Sequence, residues 1–138
     1  MTNSALSERI NLSPSQCSRR RIALEQSGVI TGYRAEIDPV KMGYTIESYT
    51  RVSLASHSES ASEEFTHYVT PLPEVIEAMA LTGEADYLLR IRVKSLDELA
   101  DFIHRELLPH SAVSQVRSDI VLKTIKKHAG VQLSLIHI

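Results

Sequence analysis

The chain has 138 residues, 43% apolar and 23% charged, enough for one or two small domains with a modest core. Its single cysteine excludes an intrachain disulfide and a cysteine-based zinc site, and suits a reducing compartment. No apolar run approaches the roughly 20 residues of a membrane span and no signal peptide is recognisable, so a cytoplasmic protein is expected, with no membrane partner.

A net charge of −2 argues against a nucleic-acid binder, but the charge is unevenly placed: about +2 up to residue 37 and −4 beyond it. A basic head on an acidic body fits a DNA-reading end joined to something else. Within the head, residues 5–10 form a short amphipathic helix and Asn11-Leu12 a turn. Ser13 is a good N-cap, Pro14 suits the first helical position, and Gln16 stands where a capping box needs it. Gly28 ends this second helix, because a residue without Cβ takes the left-handed conformation cheaply.

Two helices joined this tightly, the second carrying Arg19, Arg20 and Arg21, have the pattern of a helix-turn-helix that reads a major groove. Helical geometry turns Cys17 and Leu24 inward, against Leu6 and Ile10. Ser15, Gln16 and Arg19 then face base edges of double-stranded DNA, while Ser13, Ser18 and Arg20 reach phosphates. Arg21 interrupts the apolar stripe, and Ile22 falls on the polar side. The plainer alternative is an amphipathic helix with a solvated basic run. A helix-turn-helix needs a third helix over its inner face, and only four residues precede Ala5, so the chain reads as truncated at its start. Residues 128–138 form a tail, and its end, the apolar hexapeptide 133–138 after a lysine-rich stretch, reads as translated adaptor DNA and is assigned no function.

After Gly28, residues 29–37 alternate as a strand, and a connector closed by Gly43 marks a domain boundary. A strand over 45–55 follows, then a helix capped by Ser60 with Glu63 that carries Phe65, Tyr68 and Val69 and ends before Pro71. Strands over 75–81 and 87–93 are joined by a short hairpin connection. Ser95 with Glu98 caps a second helix lined by Leu96, Leu99, Phe102 and Ile103, and a last strand covers 116–126. This is an α+β chain: a partial helix-turn-helix with linker strand over 1–37, then a ferredoxin-like βαββαβ domain over 44–127. The helices cover one sheet face. The other is expected to meet a second copy, because few of its positions carry charge.

A helix-turn-helix, a linker strand and a ferredoxin-like domain in that order resemble the Lrp/AsnC family of transcription factors. The resemblance runs from about Leu6 to Lys127 and rests on Leu12-Ser13-Pro14, Arg20, Leu24-Glu25, Gly28-Val29-Ile30, Gly32-Tyr33, Gly43, Thr82-Gly83-Glu84 and Asp86-Tyr87. Arg21 departs from it, where the family usually has an aliphatic residue, as does the missing first helix. The resemblance implies a ligand-responsive, sequence-specific DNA-binding regulator, a homodimer or higher homo-oligomer, with an amino acid as effector. It implies an effector pocket formed partly by the loop Thr82, Gly83, Glu84, Asp86 and Tyr87. Physically, Gly83 admits a ligand to backbone N–H groups that hold a carboxylate. Asp86 suits an ammonium, and the Thr82 hydroxyl and Tyr87 ring close the sides. The competing reading is a plain hairpin, with Gly83 at positive φ and Asp86 capping the turn.

Other chemistries find less support. The histidines lack metal-ligand spacing, so neither a metal nor a cofactor is expected. No phosphate loop, nucleophile elbow or RNA-binding strand motif is present. An enzyme using Glu77 and Arg92 as an acid–base pair is conceivable, but paired charges on adjacent strands explain them better. A stand-alone ligand-binding oligomer without DNA recognition is the principal alternative.

Overall fold

A computed structural model gives the structure of residues 13–83 and 86–127. Residues Ile37–Ile125 form one compact unit, and the helix Pro14–Gln26 belongs to another that reaches Glu36. The first helix and turn expected over residues 5–12, Leu6 and Ile10 included, lie outside the described residues, as do Glu84 and residues 128–138.

The helix α1 (Pro14–Gln26) begins as its sequence dictates. The Gln16 N–H donates to Ser13 Oγ at 3.3 Å, and the Ser13 N–H donates to Gln16 Oε1 at 3.2 Å, completing the capping box. Gly28 takes φ 82°, and its N–H donates to the Glu25 carbonyl at 3.2 Å, closing the helix with one of its last free carbonyls satisfied. The strand expected over 29–37 is absent: these residues pair with no strand among the described residues, because period-two alternation supplies a face but no hydrogen-bonding neighbour.

The second unit is a four-stranded antiparallel sheet in the order β2-β3-β1-β4, with β1 at Ile46–Leu54, β2 at Val75–Ala80, β3 at Tyr87–Val93 and β4 at Val113–Ile120. Helix α2 (Glu59–Val69) follows β1, and helix α3 (Leu96–Phe102) follows β3. This is the ferredoxin-like plan. The register sets Ser48 opposite Ile91, Thr50 opposite Leu89 and Val52 opposite Tyr87, so these residues share one face. That face supplies Val52, Leu54, Leu89, Ile91 and Val93 to one core with Phe65 and Val69 of α2 and Leu99 and Phe102 of α3. Each such side chain contributes about 1.5–3 kcal/mol relative to leaving it in water. Ser48 and Thr50 are fully buried on the same face, and a hydroxyl chain satisfies them: Ser48 Oγ to Thr50 Oγ1 at 3.0 Å, and Thr50 Oγ1 to Ser118 Oγ at 2.9 Å.

Several boundaries differ from the sequence reading. Ser58, not Ser60, caps α2, its Oγ accepting the Ala61 N–H at 3.2 Å. Ser56, Ser58, Ser60 and Ser62 alternate here, and tertiary packing chooses among them. Ser95 caps α3 as expected, but Glu98 reaches one residue further back, to the Lys94 N–H at 2.9 Å. Leu96 is exposed rather than inward. Beyond Phe102 the backbone widens into one π-type turn, Ile103–Leu107, with the Leu108 N–H donating to the Ile103 carbonyl at 2.9 Å. The extra residue carries Leu107 into the core, where a regular helix would have placed Glu106. Strand β4 starts and ends earlier than expected, at Val113 and Ile120.

The outer sheet face also differs. It carries Glu47, Arg51, Glu77, Arg90, Arg92, Arg117 and Asp119, so the scarcity of charge expected there, the reason given for expecting a second copy, is not found. Opposite charges neutralise one another across the ladder: Arg90 binds Glu47 closely and Glu77 at 2.9 Å, and Arg51 lies 4.0 Å from Asp119.

Candidate functional site

Helix α1 presents an exposed face and a buried seam. Cys17 is wholly buried and Leu24 half-buried, which fixes the inward side. Ser13, Ser15, Gln16, Arg19 and Arg20 are exposed, whereas Ser18 is half-buried. Gln16 Oε1 is turned back to the cap, receiving both the N–H and, at 2.9 Å, the hydroxyl of Ser13. A contact from Gln16 to a base edge therefore uses its amide nitrogen or loosens the box.

Arg21, the residue that interrupts the stripe, is held by the chain that follows the helix. Its Nε donates to the Tyr33 hydroxyl at 3.1 Å, its guanidinium lies 5.2 Å from the centre of that ring, and Glu25 Oε1 is 3.5 Å away. The Tyr33 hydroxyl donates to Glu25, and that bond raises the Tyr33 pKa above its ordinary value. The i,i+4 spacing of Arg21 and Glu25 was readable in sequence; Tyr33, beyond the glycine stop, was not.

In the second unit, the 82–87 loop is closed at its base. The Leu81 N–H donates to the Asp86 carbonyl at 2.9 Å, and the Asp86 N–H donates to the Val52 carbonyl at 3.1 Å. Thr82 and Gly83 are exposed. Gly83 does not take a positive φ, unlike Gly28 and Gly43, and a Cβ built on it meets nothing within 4 Å. The positive φ that the plain-hairpin reading gave Gly83 is not found, while β2 and β3 do pair antiparallel on either side of the loop.

The Asp86 carboxylate is already engaged: Oδ2 accepts the Leu54 N–H at 2.6 Å, and Oδ1 lies 3.3 Å from His57 Nδ1. Asp86 thus ties the loop to the end of β1. His57 joins it from 29 positions away in the sequence, a proximity created only by the crossing of β1 and the loop. Tyr87 is turned to the helix side of the sheet, its hydroxyl in a close hydrogen bond with the Ser62 hydroxyl and its ring 5.0 Å from Phe65. Thr82, Gly83, Asp86 and Tyr87 lie together at one end of β3, with Asp86 and Tyr87 anchored and Thr82 and Gly83 open. No group of three metal-ligating side chains occurs among the described residues.

Comparison with known proteins matches both halves of the chain. Residues 47–131 match the Lrp/AsnC ligand binding domain, and residues 1–31 match a winged helix-turn-helix DNA-binding domain. The chain is 32% identical over 133 residues to the leucine-responsive regulatory protein of Rhizobium meliloti, covering 96% of this chain and 85% of that one. It is 30% identical to the transcriptional regulator AzlB of Bacillus subtilis, with the same coverage. Among solved structures, a transcriptional regulator from Neisseria meningitidis in complex with L-Met has a TM-score of 0.88 at 37% identity, covering 99% of this chain and 88% of that one. A feast or famine regulatory protein from M. tuberculosis complexed with L-methionine has a TM-score of 0.72 at 28% identity, covering 94% and 86%.

Proposed function

The chain belongs to the Lrp/AsnC family of transcriptional regulators, and we propose that it joins DNA reading by α1 to amino-acid binding at the 82–87 loop. The observation that carries this reading is the capped, arginine-bearing exposed face of α1 in a chain whose other unit matches a ligand-binding domain. Ser15, Gln16 and Arg19 contact base edges; Ser13, Ser18 and Arg20 contact phosphates. The effector's carboxylate meets backbone N–H groups beside Gly83, and its ammonium meets Asp86 and Glu84, with Thr82 and Tyr87 flanking it. Two structural neighbours hold methionine, which supports an amino acid as the class of effector.

The working unit is a homodimer or higher homo-oligomer in the cytoplasm. The unpaired alternating segment 29–37 and exposed Tyr33 and Ile37 favour a partner strand from a second copy. A ligand regulates such an assembly only if it binds its arrangements unequally.

Loss of DNA recognition is disfavoured by the match over residues 1–31. An enzyme built on Glu77 and Arg92 is disfavoured as well: Glu77 is spoken for by Arg90 at 2.9 Å, and the relatives are named regulators.

The deciding experiment measures DNA binding by anisotropy over a salt series, with and without each of the twenty amino acids. Affinity that falls steeply with salt and shifts with one amino acid supports the proposal. Salt-independent binding, or affinity indifferent to every amino acid, counts against it.

A further inference from the structure

We infer that Tyr33 is a positioning residue for DNA reading: by clamping the segment after α1 onto that helix, it fixes how far apart two copies place their recognition helices. The inference rests on the reading that α1 contacts DNA and that segment 29–37 pairs with a second copy. It adds the joint that ties one to the other.

The chain leaves α1 under close control. The Gly28 N–H donates to the Glu25 carbonyl at 3.2 Å, and the Leu24 carbonyl accepts the Ile30 N–H at 3.0 Å and the Ser27 hydroxyl at 3.1 Å. These bonds set the direction of the chain as far as Ile30. Gly32 then follows. It takes no positive φ, and a Cβ built on it would meet nothing within 4 Å, so neither a left-handed turn nor a close approach calls for glycine there. What glycine does supply is backbone freedom, one residue before Tyr33.

Tyr33 closes that joint. Its hydroxyl donates to Glu25 Oε1 and accepts Arg21 Nε at 3.1 Å, and its ring centre lies 5.2 Å from the guanidinium. Arg21 and Glu25 stand one helical turn apart, with Nε 3.5 Å from Oε1. A phenol bound to both is held in direction along the helix as well as in distance. Arg21 is half-buried in this clamp, whereas Arg19 and Arg20 of the same helix are exposed.

The two recognition helices of a dimer meet half-sites a whole number of helical turns apart, about 34–36 Å per turn. With the copies paired through segment 29–37, each α1 is placed by its angle to that segment. Rotation at Gly32 would spread the helices over many separations, and the clamp selects one.

The test uses duplexes that the full chain selects from a random-sequence pool. Each is prepared intact, with half a helical turn (about 5 base pairs) inserted at its centre, and with one half-site scrambled. By anisotropy, the insertion is expected to cost the wild type at least about tenfold in affinity and Tyr33→Phe less than about threefold. On the duplex with one half-site the two proteins are expected to agree within about twofold, because the contacts of α1 itself are intact. Glu25→Gln, which keeps an oxygen for the phenol, should respond to the insertion as the wild type does, and Glu25→Ala should not. A Tyr33→Phe protein as sensitive to the insertion as the wild type overturns the inference. So does an equal loss on all three duplexes, which makes the tyrosine a prop for the stability of α1 rather than for its placement. A wild type that binds tightly but ignores the insertion overturns it too and leaves DNA reading intact, whereas a wild type that selects no duplex defeats that reading as well.

Discussion

Asp86 shows how one side chain holds two roles apart. Its carboxylate accepts the Leu54 N–H at 2.6 Å, so removing it leaves a partly buried donor unpaired at the end of β1. Asp86→Ala should therefore destabilise the protein by about 1–3 kcal/mol in urea unfolding, before any effect on ligand. Thr50 is the corresponding case in the core. It links Ser48 and Ser118 by hydroxyl bonds of 3.0 and 2.9 Å, and Thr50→Val strands both. A loss of about 1–3 kcal/mol is expected, although valine keeps the shape. On α1, the proposed roles of neighbouring arginines differ in kind. Arg19→Ala should relax sequence preference at one base position, while Arg20→Ala should weaken all sequences alike and flatten the salt slope by about 1. Anisotropy against a panel of single-base variants separates the two outcomes.

Among the elements, α1 is the one whose ends are written into its residues. Ser13→Ala removes the hydroxyl half of the capping box, leaving only the backbone N–H to Gln16 Oε1, and should cost about 1 kcal/mol, measurable as a lower melting temperature. The helices of the second unit owe more to packing. Ser58 caps α2 although Ser60 with Glu63 has the better local pattern, because the serine that leaves β1 in extended geometry is the one whose Oγ meets the Ala61 N–H. The π-type turn after α3 has no local signature either. It exists because Leu107 fills the core while Glu106 reaches the Tyr68 hydroxyl at 2.6 Å. Segment 29–37 is the converse: its alternation is plain, and no described strand pairs with it.

Across the whole molecule, the Tyr68–Glu106 bond makes stability depend on pH at both extremes. Burial first, and the bond to Glu106 second, push the Tyr68 phenol up to about 12. The neutral phenol is thus favoured by folding: its contribution is complete below the ordinary 10.0 and disappears as pH climbs towards about 12. The same bond, with Arg105 next, holds Glu106 below its ordinary 4.5, so its contribution is present above that value and is lost as pH falls beneath it. Tyr68→Phe should flatten both limbs of a stability-against-pH curve measured by urea unfolding. The proposed effector acts at this scale too. An amino acid at 100 times its Kd should add about 2.7 kcal/mol to unfolding, visible as a thermal shift.

The chain alone determined the order of strands and helices in the second unit, the cap and stop of α1 and the span of β3, because these rest on local spacing: Ser13 to Gln16, Gly28, and the alternation from Tyr87 to Val93. Only the tertiary structure decided that Asp86 serves Leu54 and His57 and that Tyr33 restrains Arg21. Each of those joins residues that are neighbours in space and not in sequence. Side-chain type limits what a residue can bind, but the crossing of strands and the path of the linker select which partner it meets.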